Sequence, residues 1–308
     1  MKKIYVLLPV HNRVETTARF LKCLAAQTYK NYHLVVVDDG SRDGTVIAVS
    51  SIVPGSTVIR GGGELWWGGS LHRGYQWLRS SPVSADDIVL MINDDTEFAP
   101  DFFEKAVSIL DKNPRTLLLA ACHSRSSGEF IRGGVRVDYR KWDWKFVKPD
   151  SSEEINCLAT RGLFMSASDL FAIGGFHPLL LPHYHSDYEF TMRAYRLGFK
   201  LVVDPALKLF INEGVVGYHD LKEENFGRFL SKFFSKKSVS NPAYMVSFVI
   251  LACPWPWKAI NVLRVLKGTA VVLIKRFFKY SCLNNSRITL AEAPSRLAVG
   301  SSAKSILG

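Results

Sequence analysis

The sequence predicts an α/β fold: a mostly parallel sheet flanked by helices, followed by a C-terminal helical extension. Three observations carry this. Apolar runs at Ile4 to Val10, Asn31 to Val37 and Ile88 to Ile92 have the length of buried strands and alternate with helix-period segments. Two of the runs stop abruptly in carboxylates, at Asp38-Asp39 and at Asn93-Asp94-Asp95, as when a sheet buried on both faces delivers polar groups at its C-terminal edge. Beyond residue 220 the texture changes. Leu221 to Tyr280 holds 11 Lys/Arg against 2 Asp/Glu, a local net of +9 in a chain whose total is +11.

With 308 residues, 47% hydrophobic and 22% charged, the chain has ample material for a core and is not a disordered segment. Its cysteines, Cys23, Cys122, Cys157, Cys253 and Cys282, are odd in number, far apart and without metal-type spacing, so a reducing compartment is expected. The N-terminal MKKIYVLLPV is read as a first strand and not a signal peptide, because its apolar run contains Pro9 and meets His11-Asn12-Arg13 in place of a small-residue cleavage site. No uncharged apolar run reaches the roughly 20 residues that a membrane span requires.

Taken in order, Ile4 to Val10 is strand one, and Glu15 to Gln27 a helix with Phe20, Leu21, Leu24 and Ala25 on one side. Asn31 to Val37 is a second buried strand, ending at Asp38-Asp39-Gly40-Ser41-Arg42-Asp43-Gly44-Thr45, a turn that opens another helix. Strand, helix, strand, helix is the order of a Rossmann-like, doubly wound sheet. Thr57 to Ile59 is a short strand before Gly61 to Ser70, a glycine-rich loop whose Trp66 and Trp67 can wall a ligand. That loop lacks the Lys-Ser/Thr of a P-loop and does not follow strand one as G-x-G-x-x-G, which argues against a kinase-like NTPase and a dinucleotide dehydrogenase. Ile88 to Ile92 ends in Asn93-Asp94-Asp95-Thr96, with a helix beginning near Pro100. Ser168 to Ala172 reads as helical, Gly174-Gly175-Phe176 turns the chain, and His183 to Phe190 enters a helix that runs to Gly198. Leu201 to Pro205 is a last strand.

Asp38 and Asp39 are thus expected on one sheet edge with Asp94 and Asp95, where open α/β sheets bind ligands. An acidic residue after the second strand commonly accepts hydrogen bonds from ribose hydroxyls, so a nucleotide is the natural ligand. Adjacent carboxylates at a buried strand end call for a compensating cation, and hard oxygens suit Mg²⁺ or Mn²⁺ shared with substrate phosphates. The alternatives are helix capping: by Asp38 and Asp39 near Gly44, by Asp95-Thr96 near Pro100, and by Ser186 or Asp187 at the helix after His185. Chemically, Asp187 is a candidate general base. His183 and His185 have no further metal-ligand spacing and read as loop residues.

The order of these motifs resembles glycosyltransferase family 2, inverting nucleotide-sugar transferases with the A-type glycosyltransferase fold. It is carried by Pro9-Val10-His11-Asn12-Arg13, Val37 to Thr45, Leu65-Trp66-Trp67-Gly68-Gly69, Asn93-Asp94-Asp95, Gly174-Gly175-Phe176 and Ser186-Asp187-Tyr188-Glu189 through Arg193. The resemblance is strongest to a bacterial surface-polysaccharide branch that includes rhamnosyltransferases. It implies a nucleotide pocket of Pro9, His11, Asn12, Arg13, Asp38, Asp39, Trp67, Gly69 and Asp94, a metal site at Asp95 and His219, and a general base at Asp187. Asn93 stands where the family's metal motif has its first carboxylate, and Ser186 where its base motif has a second acid. The implied reaction moves a sugar, hexosyl or rhamnosyl, from a nucleoside-diphosphate sugar to a hydroxyl of a glycan or lipid-linked acceptor. A sugar nucleotidyltransferase and a noncatalytic nucleotide- or sugar-binding module are the competing readings. The first should carry a basic glycine-rich loop after strand one, which His11 to Glu15 is not.

The expected organisation is a catalytic domain over 1–225, a basic and apolar helical extension over 226–280, and a flexible tail over 281–308. Ala243 to Trp257 is uncharged but broken by Pro254 and Pro256. In Ala259 to Tyr280, at 100° per residue, Arg264, Lys267, Lys275 and Lys279 fall within an arc of about 120° and leave most of the remainder apolar. That is the pattern of an interfacial helix on an anionic membrane, and it predicts a cytoplasmic protein held on the inner face of the cytoplasmic membrane. Packing on the catalytic domain and a homo-oligomer interface are the alternatives. Nucleic acid is not expected, since no binding motif accompanies the charge.

Overall fold

A computed structural model describes residues 1–212 and 225–291, without the side chains of 281–291. The sheet starts with β1 (Ile4–Val10), β2 (Tyr32–Asp38) and β3 (Thr57–Arg60), connected by α1 (Val14–Ala25) and α2 (Thr45–Ile52). After α3 (Trp66–Ser80) come β4 (Ile88–Met91), β5 (Thr96–Glu97), α4 (Phe102–Lys112), β6 (Thr116–Ser124) and β7 (Phe130–Arg132). A separate hairpin, β8 (Gly134–Asp138) and β9 (Asp143–Val147), precedes β10 (Leu163–Ser166), α5 (Ala167–Ile173), α6 (Ser186–Arg196) and β11 (Lys200–Ile211). The sheet order is β3-β2-β1-β4-β10-β6-β11-β5, with β7 on β6.

The strands around β1 and the pair β6–β11 are parallel, whereas β10 runs antiparallel to both β4 and β6. Six of the nine strands therefore run one way, as a mostly parallel sheet requires, while β10 at the middle, β5 at one edge and β7 beside β6 run the other. Its two faces carry the two main core clusters, one holding Val6, Leu8, Phe20, Val36 and Phe103, the other Leu7, Val35, Met91, Leu163 and Phe190. Consecutive β1 residues point into opposite clusters, so the strand reads as one continuous apolar run.

Three differences from the sequence reading have local causes. Trp66 to Ser70 opens α3 and is not loop: Gly68 is a packing surface, since a Cβ there would come within 2.4 Å of the Leu181 carbonyl oxygen. The last strand extends to Ile211, because pairing with β6 breaks after Asp204, at Pro205, and resumes at Lys208. The sequence reading leaves β6 and the β8–β9 hairpin unassigned; β6 joins the main sheet, and the separate hairpin lays Trp142 and Trp144 against α6 and the next helices.

Those helices are α7 (Phe226–Phe233), α8 (Pro242–Ala252) and α9 (Trp255–Ala291). Asn241 caps α8 by accepting from Ala243 N at 3.0 Å, and Pro242 fits the first turn, where its missing N–H costs nothing. α8 does not stand apart: Phe248 and Ala252 are buried with Val135, Val137 and Met192. α9 continues past Tyr280, where the tail was expected to begin; Ser281 to Ala291 contains neither Gly nor Pro to stop it. Residues 292–308 of that expected tail lie outside the described residues. No helix among the described residues is long and apolar enough to cross a membrane.

Candidate functional site

The parallel register sets Val10 opposite Asp38 and Leu7 opposite Met91, so β1, β2 and β4 end side by side. At the β2 end, Asp38 is fully buried, paired with Arg60 at 2.7 Å and accepting from Ser41 N at 3.1 Å. Asp39 accepts from three backbone amides, Gly63 N at 2.7 Å, Leu65 N at 2.9 Å and Trp66 N at 3.0 Å. These bonds hold the glycine-rich turn down on the sheet edge. His11 Nδ1 lies 2.6 Å from the Asp39 carbonyl oxygen, and Asn12, at φ 49°, accepts from Arg42 N at 2.8 Å. Pro9, His11, Asn12, Asp38 and Asp39 do come together, as a cross-braced rim with His11 and Asn12 exposed. Neither aspartate caps α2, whose N-cap is Gly44; Asp43 does that work through Thr45 N at 3.1 Å.

At the β4 end the second pair is arranged differently. Asp94 is buried, 2.9 Å from Arg13 Nη1 and accepting from Thr17 Oγ1 at 2.9 Å. Burial pushes its pKa up to about 6 against the opposing pull of Arg13. Asp95 Oδ2 lies 3.5 Å from Arg13 and 3.8 Å from Arg161, while its Oδ1 is buried without a hydrogen bond. Neither carboxylate caps α4, which begins at Phe102 after Asp101. Thr17 and Arg161 escaped the sequence reading. Thr17 follows Arg13 by one helical turn, and that spacing was a usable signal. Arg161 is the lone charge in the apolar stretch before β10; its neighbour Gly162, at φ 84°, leaves no room for a Cβ, which would meet Leu209 at 2.3 Å.

Asp187 opens α6, and its Oδ1 accepts from Tyr188 N at 2.9 Å. The N-cap itself is His185, without a side-chain capping bond, so Asp187 serves one first-turn amide from inside the helix; among the described residues its other oxygen makes no hydrogen bond. Burial raises the Asp187 pKa to about 6, opposed by the helix-end amides and by Arg161. As a residue Asp187 keeps partial exposure, although its carboxylate is desolvated. Glu189, in the same motif, is 1% exposed and paired with Arg193 through Nε at 2.9 Å and Nη2 at 3.0 Å. Arg193 Nη2 also donates to the Gly175 carbonyl at 2.7 Å, which locks the Gly174-Gly175 turn onto α6. Trp67 and Gly69 sit in α3 with packing partners: Trp67 Nε1 donates to Thr160 Oγ1 at 3.2 Å, and Gly69 is buried beside Leu65. The extension reaches this region. Lys236 pairs with Glu64 at 2.9 Å, Lys237 stands 5.4 Å over the Trp66 ring, and His185 Nε2 lies 3.0 Å from the Val239 carbonyl oxygen. His183 is driven to about 4 by burial and then by Lys237, so it is neutral at ordinary pH.

No three His, Cys, Asp or Glu come together as metal ligands among the described residues, and His219 lies outside them. What the chain offers is a carboxylate with one buried oxygen lacking any donor, Asp95 Oδ1. That fits a Mg²⁺ or Mn²⁺ ion held by one or two protein oxygens and completed by phosphate.

Comparison with known proteins agrees with this architecture. The model of the family described as glycosyl transferase family 2 matches residues 5–166. An uncharacterized glycosyltransferase of Haemophilus influenzae is 30% identical over 109 residues, 35% of either chain. The amylovoran biosynthesis glycosyltransferase AmsB of Erwinia amylovora is 23% identical over 223 residues, 64% of this chain and 65% of AmsB. Less than two thirds of each relative's length is therefore spanned. Among solved structures, GalNAc-T7 with UDP, GalNAc and Mn²⁺ superposes with a TM-score of 0.55 at 17% identity, covering 82% of this chain and 52% of that one. Its sheet and helices share the A-type architecture. With its family model spanning more than half of the sequence, the chain belongs to glycosyl transferase family 2.

Proposed function

We propose that the protein is an inverting glycosyltransferase of polysaccharide biosynthesis, moving a sugar from a nucleoside-diphosphate sugar to a hydroxyl of a glycan or lipid-linked acceptor. The observation that carries this is Arg161. It lies 3.8 Å from Asp95 and favours the ionised form of Asp187, so the phosphate-end carboxylate and the candidate base share one guanidinium. AmsB, by its name, serves amylovoran biosynthesis, and the GalNAc-T7 structure contains UDP and Mn²⁺, which supports the same substrate class.

With a pKa near 6, Asp187 is ionised at neutral pH and basic enough to take a proton in the transition state. It would remove the acceptor hydroxyl proton as that oxygen bonds to the anomeric carbon, while the opposite carbon–oxygen bond breaks and its electron pair leaves with the diphosphate. One displacement inverts the centre. Arg13 and Arg161 supply positive charge to the departing diphosphate. A divalent cation held by Asp95, with His219 as a second ligand in the family pattern, would add Lewis-acid stabilisation of the same charge. Pro9, His11, Asn12 and the turn pinned by Asp38 and Asp39 form the nucleotide rim. The donor is read as a hexosyl or rhamnosyl nucleotide, and the acceptor as one met at the inner face of the cytoplasmic membrane.

The test is a panel of UDP-, GDP- and dTDP-sugars with Mg²⁺, Mn²⁺ or EDTA, following nucleotide release and transfer. We expect release from one donor class, lost with EDTA. Release of pyrophosphate in place of nucleoside diphosphate would favour the nucleotidyltransferase, and binding without turnover the noncatalytic module.

A further inference from the structure

Helix α9 is amphipathic in the wrong sense for a helix packed on a globular body. At 100° per residue, Asn261, Leu273 and Arg276, which meet the protein, span an arc of about 120°. Asn261 is buried and donates to the Tyr139 carbonyl at 2.8 Å, Leu273 packs with Phe229 and Phe233 of α7, and Arg276 lies over the Phe229 ring. Ile260, Leu263, Leu266, Val271, Ile274, Phe277 and Phe278 fall in a second arc of about 140°, centred roughly opposite the first. All seven are exposed, from 40% at Val271 to 65% at Leu263. Of the large apolar α9 residues that are exposed, Val272 and Trp255, at the start of the helix, fall outside that arc. A buried stripe normally faces the body. Here it faces away, apart from the Phe277 ring, which is half exposed and also meets Phe226 of α7 at 5.6 Å, over a helix about 55 Å long that contributes no Asp or Glu from Trp255 to Ala291.

We propose that this outward arc of α9 is a docking surface for an anionic lipid bilayer. The choice of occupant follows from charge. Lys267 lies within the arc, and Arg264, Lys275 and Lys279 follow along one edge. Two copies meeting arc to arc would bring these cations together with no acid on either helix, whereas acidic headgroups neutralise them. Trp255, 84% exposed where the helix begins, adds an aromatic ring of the kind that settles at the headgroup level. α8, the more apolar segment in sequence, is excluded from this role because Phe248, Val249 and Ala252 are already buried against the catalytic unit. This deepens the membrane-side location proposed above and rests on it, but not on sugar transfer.

The test is cosedimentation of the full chain with vesicles of phosphatidylcholine alone or with phosphatidylglycerol. One variant combines Leu263→Ser, Ile274→Ser and Phe278→Ser, a second Lys267→Gln, Lys275→Gln and Lys279→Gln; melting and molecular mass are measured without lipid. We expect partition to anionic vesicles that falls with salt, at least about tenfold weaker in the serine variant, and weaker by about fivefold for each lysine removed. Melting and mass should be unchanged. Retained binding by the serine variant would overturn α9 as the surface and leave the membrane location standing. A full chain that ignores anionic vesicles would overturn both. A mass change in the serine variant would assign the arc to a second copy, and a lower melting point at constant mass would assign it to the chain itself; either overturns the proposal.

Discussion

Two aspartate pairs end neighbouring strands of one sheet, and they are used in opposite ways. Asp38 and Asp39 at the end of β2 are engaged by the protein itself, through Arg60, Ser41 N and the amides of Gly63, Leu65 and Trp66. At the end of β4, Asp94 is engaged by Arg13 and Thr17, but Asp95 keeps one buried oxygen without a donor. Identical residue types at the same sheet edge thus divide into a scaffold that shapes the rim and an acceptor left for a ligand. The backbone next to each pair makes the difference. A glycine-rich turn after β3 folds back and offers N–H donors to Asp39, whereas Asn93 to Thr96 runs straight into β5 and brings only guanidinium groups near Asp95.

Asp187 belongs with Asp95 in this comparison, and altering it should have the largest effect. Asp187→Asn is expected to lower transfer by roughly 10² to 10⁴, the usual contribution of a general base, with donor affinity unchanged. The wild-type rate should rise with pH through about 6 and then level. The sign for stability is opposite. The folded pKa of about 6 exceeds the ordinary 3.8, so ionisation opposes folding; the cost appears as pH rises through that interval and is complete above it. At pH 7.5 the asparagine variant should therefore be more stable, by about 1–3 kcal/mol, in a denaturant melt. A variant that turns over normally, or melts lower, would return Asp187 to helix capping.

Exchanging the two pairs sharpens the contrast. Asp39→Ala leaves three amides without their acceptor and should cost about 3 kcal/mol of stability or more. Asp95→Ala removes a group with no tight partner, and its stability should stay within about 1 kcal/mol of wild type. Calorimetry with UDP or GDP should show the reverse, with Mn²⁺-dependent affinity lost at Asp95. Equal destabilisation by both changes would erase the distinction between scaffold and acceptor.

The smallest expected effect is at Arg60, which is 59% exposed while its partner Asp38 is fully buried. Solvent screens the exposed partner, so Arg60→Ala should cost only about 1 kcal/mol, read as a modest shift in the midpoint of denaturant unfolding. A loss comparable to that of Asp39→Ala would mean that the β2 rim depends on this ion pair more than on the amide contacts.

The sequence by itself determined the α/β class, the strands that end in carboxylates and their common edge, because apolar run length and the abrupt change to polar residues are local properties. It also placed Asp187 at a helix start, where Ser186-Asp187 precedes an apolar-periodic segment. What it left open was which acid is occupied. Asp39 and Asp95 are indistinguishable in composition, and their partners lie 24 to 27 residues away at Gly63, Leu65 and Trp66 for the first, or 82 residues away at Arg13 for the second. Only the closed sheet brings those groups together. The same holds for Arg161, an isolated charge in sequence that packing sets beside Asp95. It holds also for α9, whose two arcs are written in the sequence while the side that meets the body is not. That choice was made by Tyr139, Phe229 and Phe233, which take the Asn261 and Leu273 side and leave the apolar arc facing out. Side-chain periodicity is local, but the partner that covers a face is a long-range contact, and long-range contacts exist only in the folded chain.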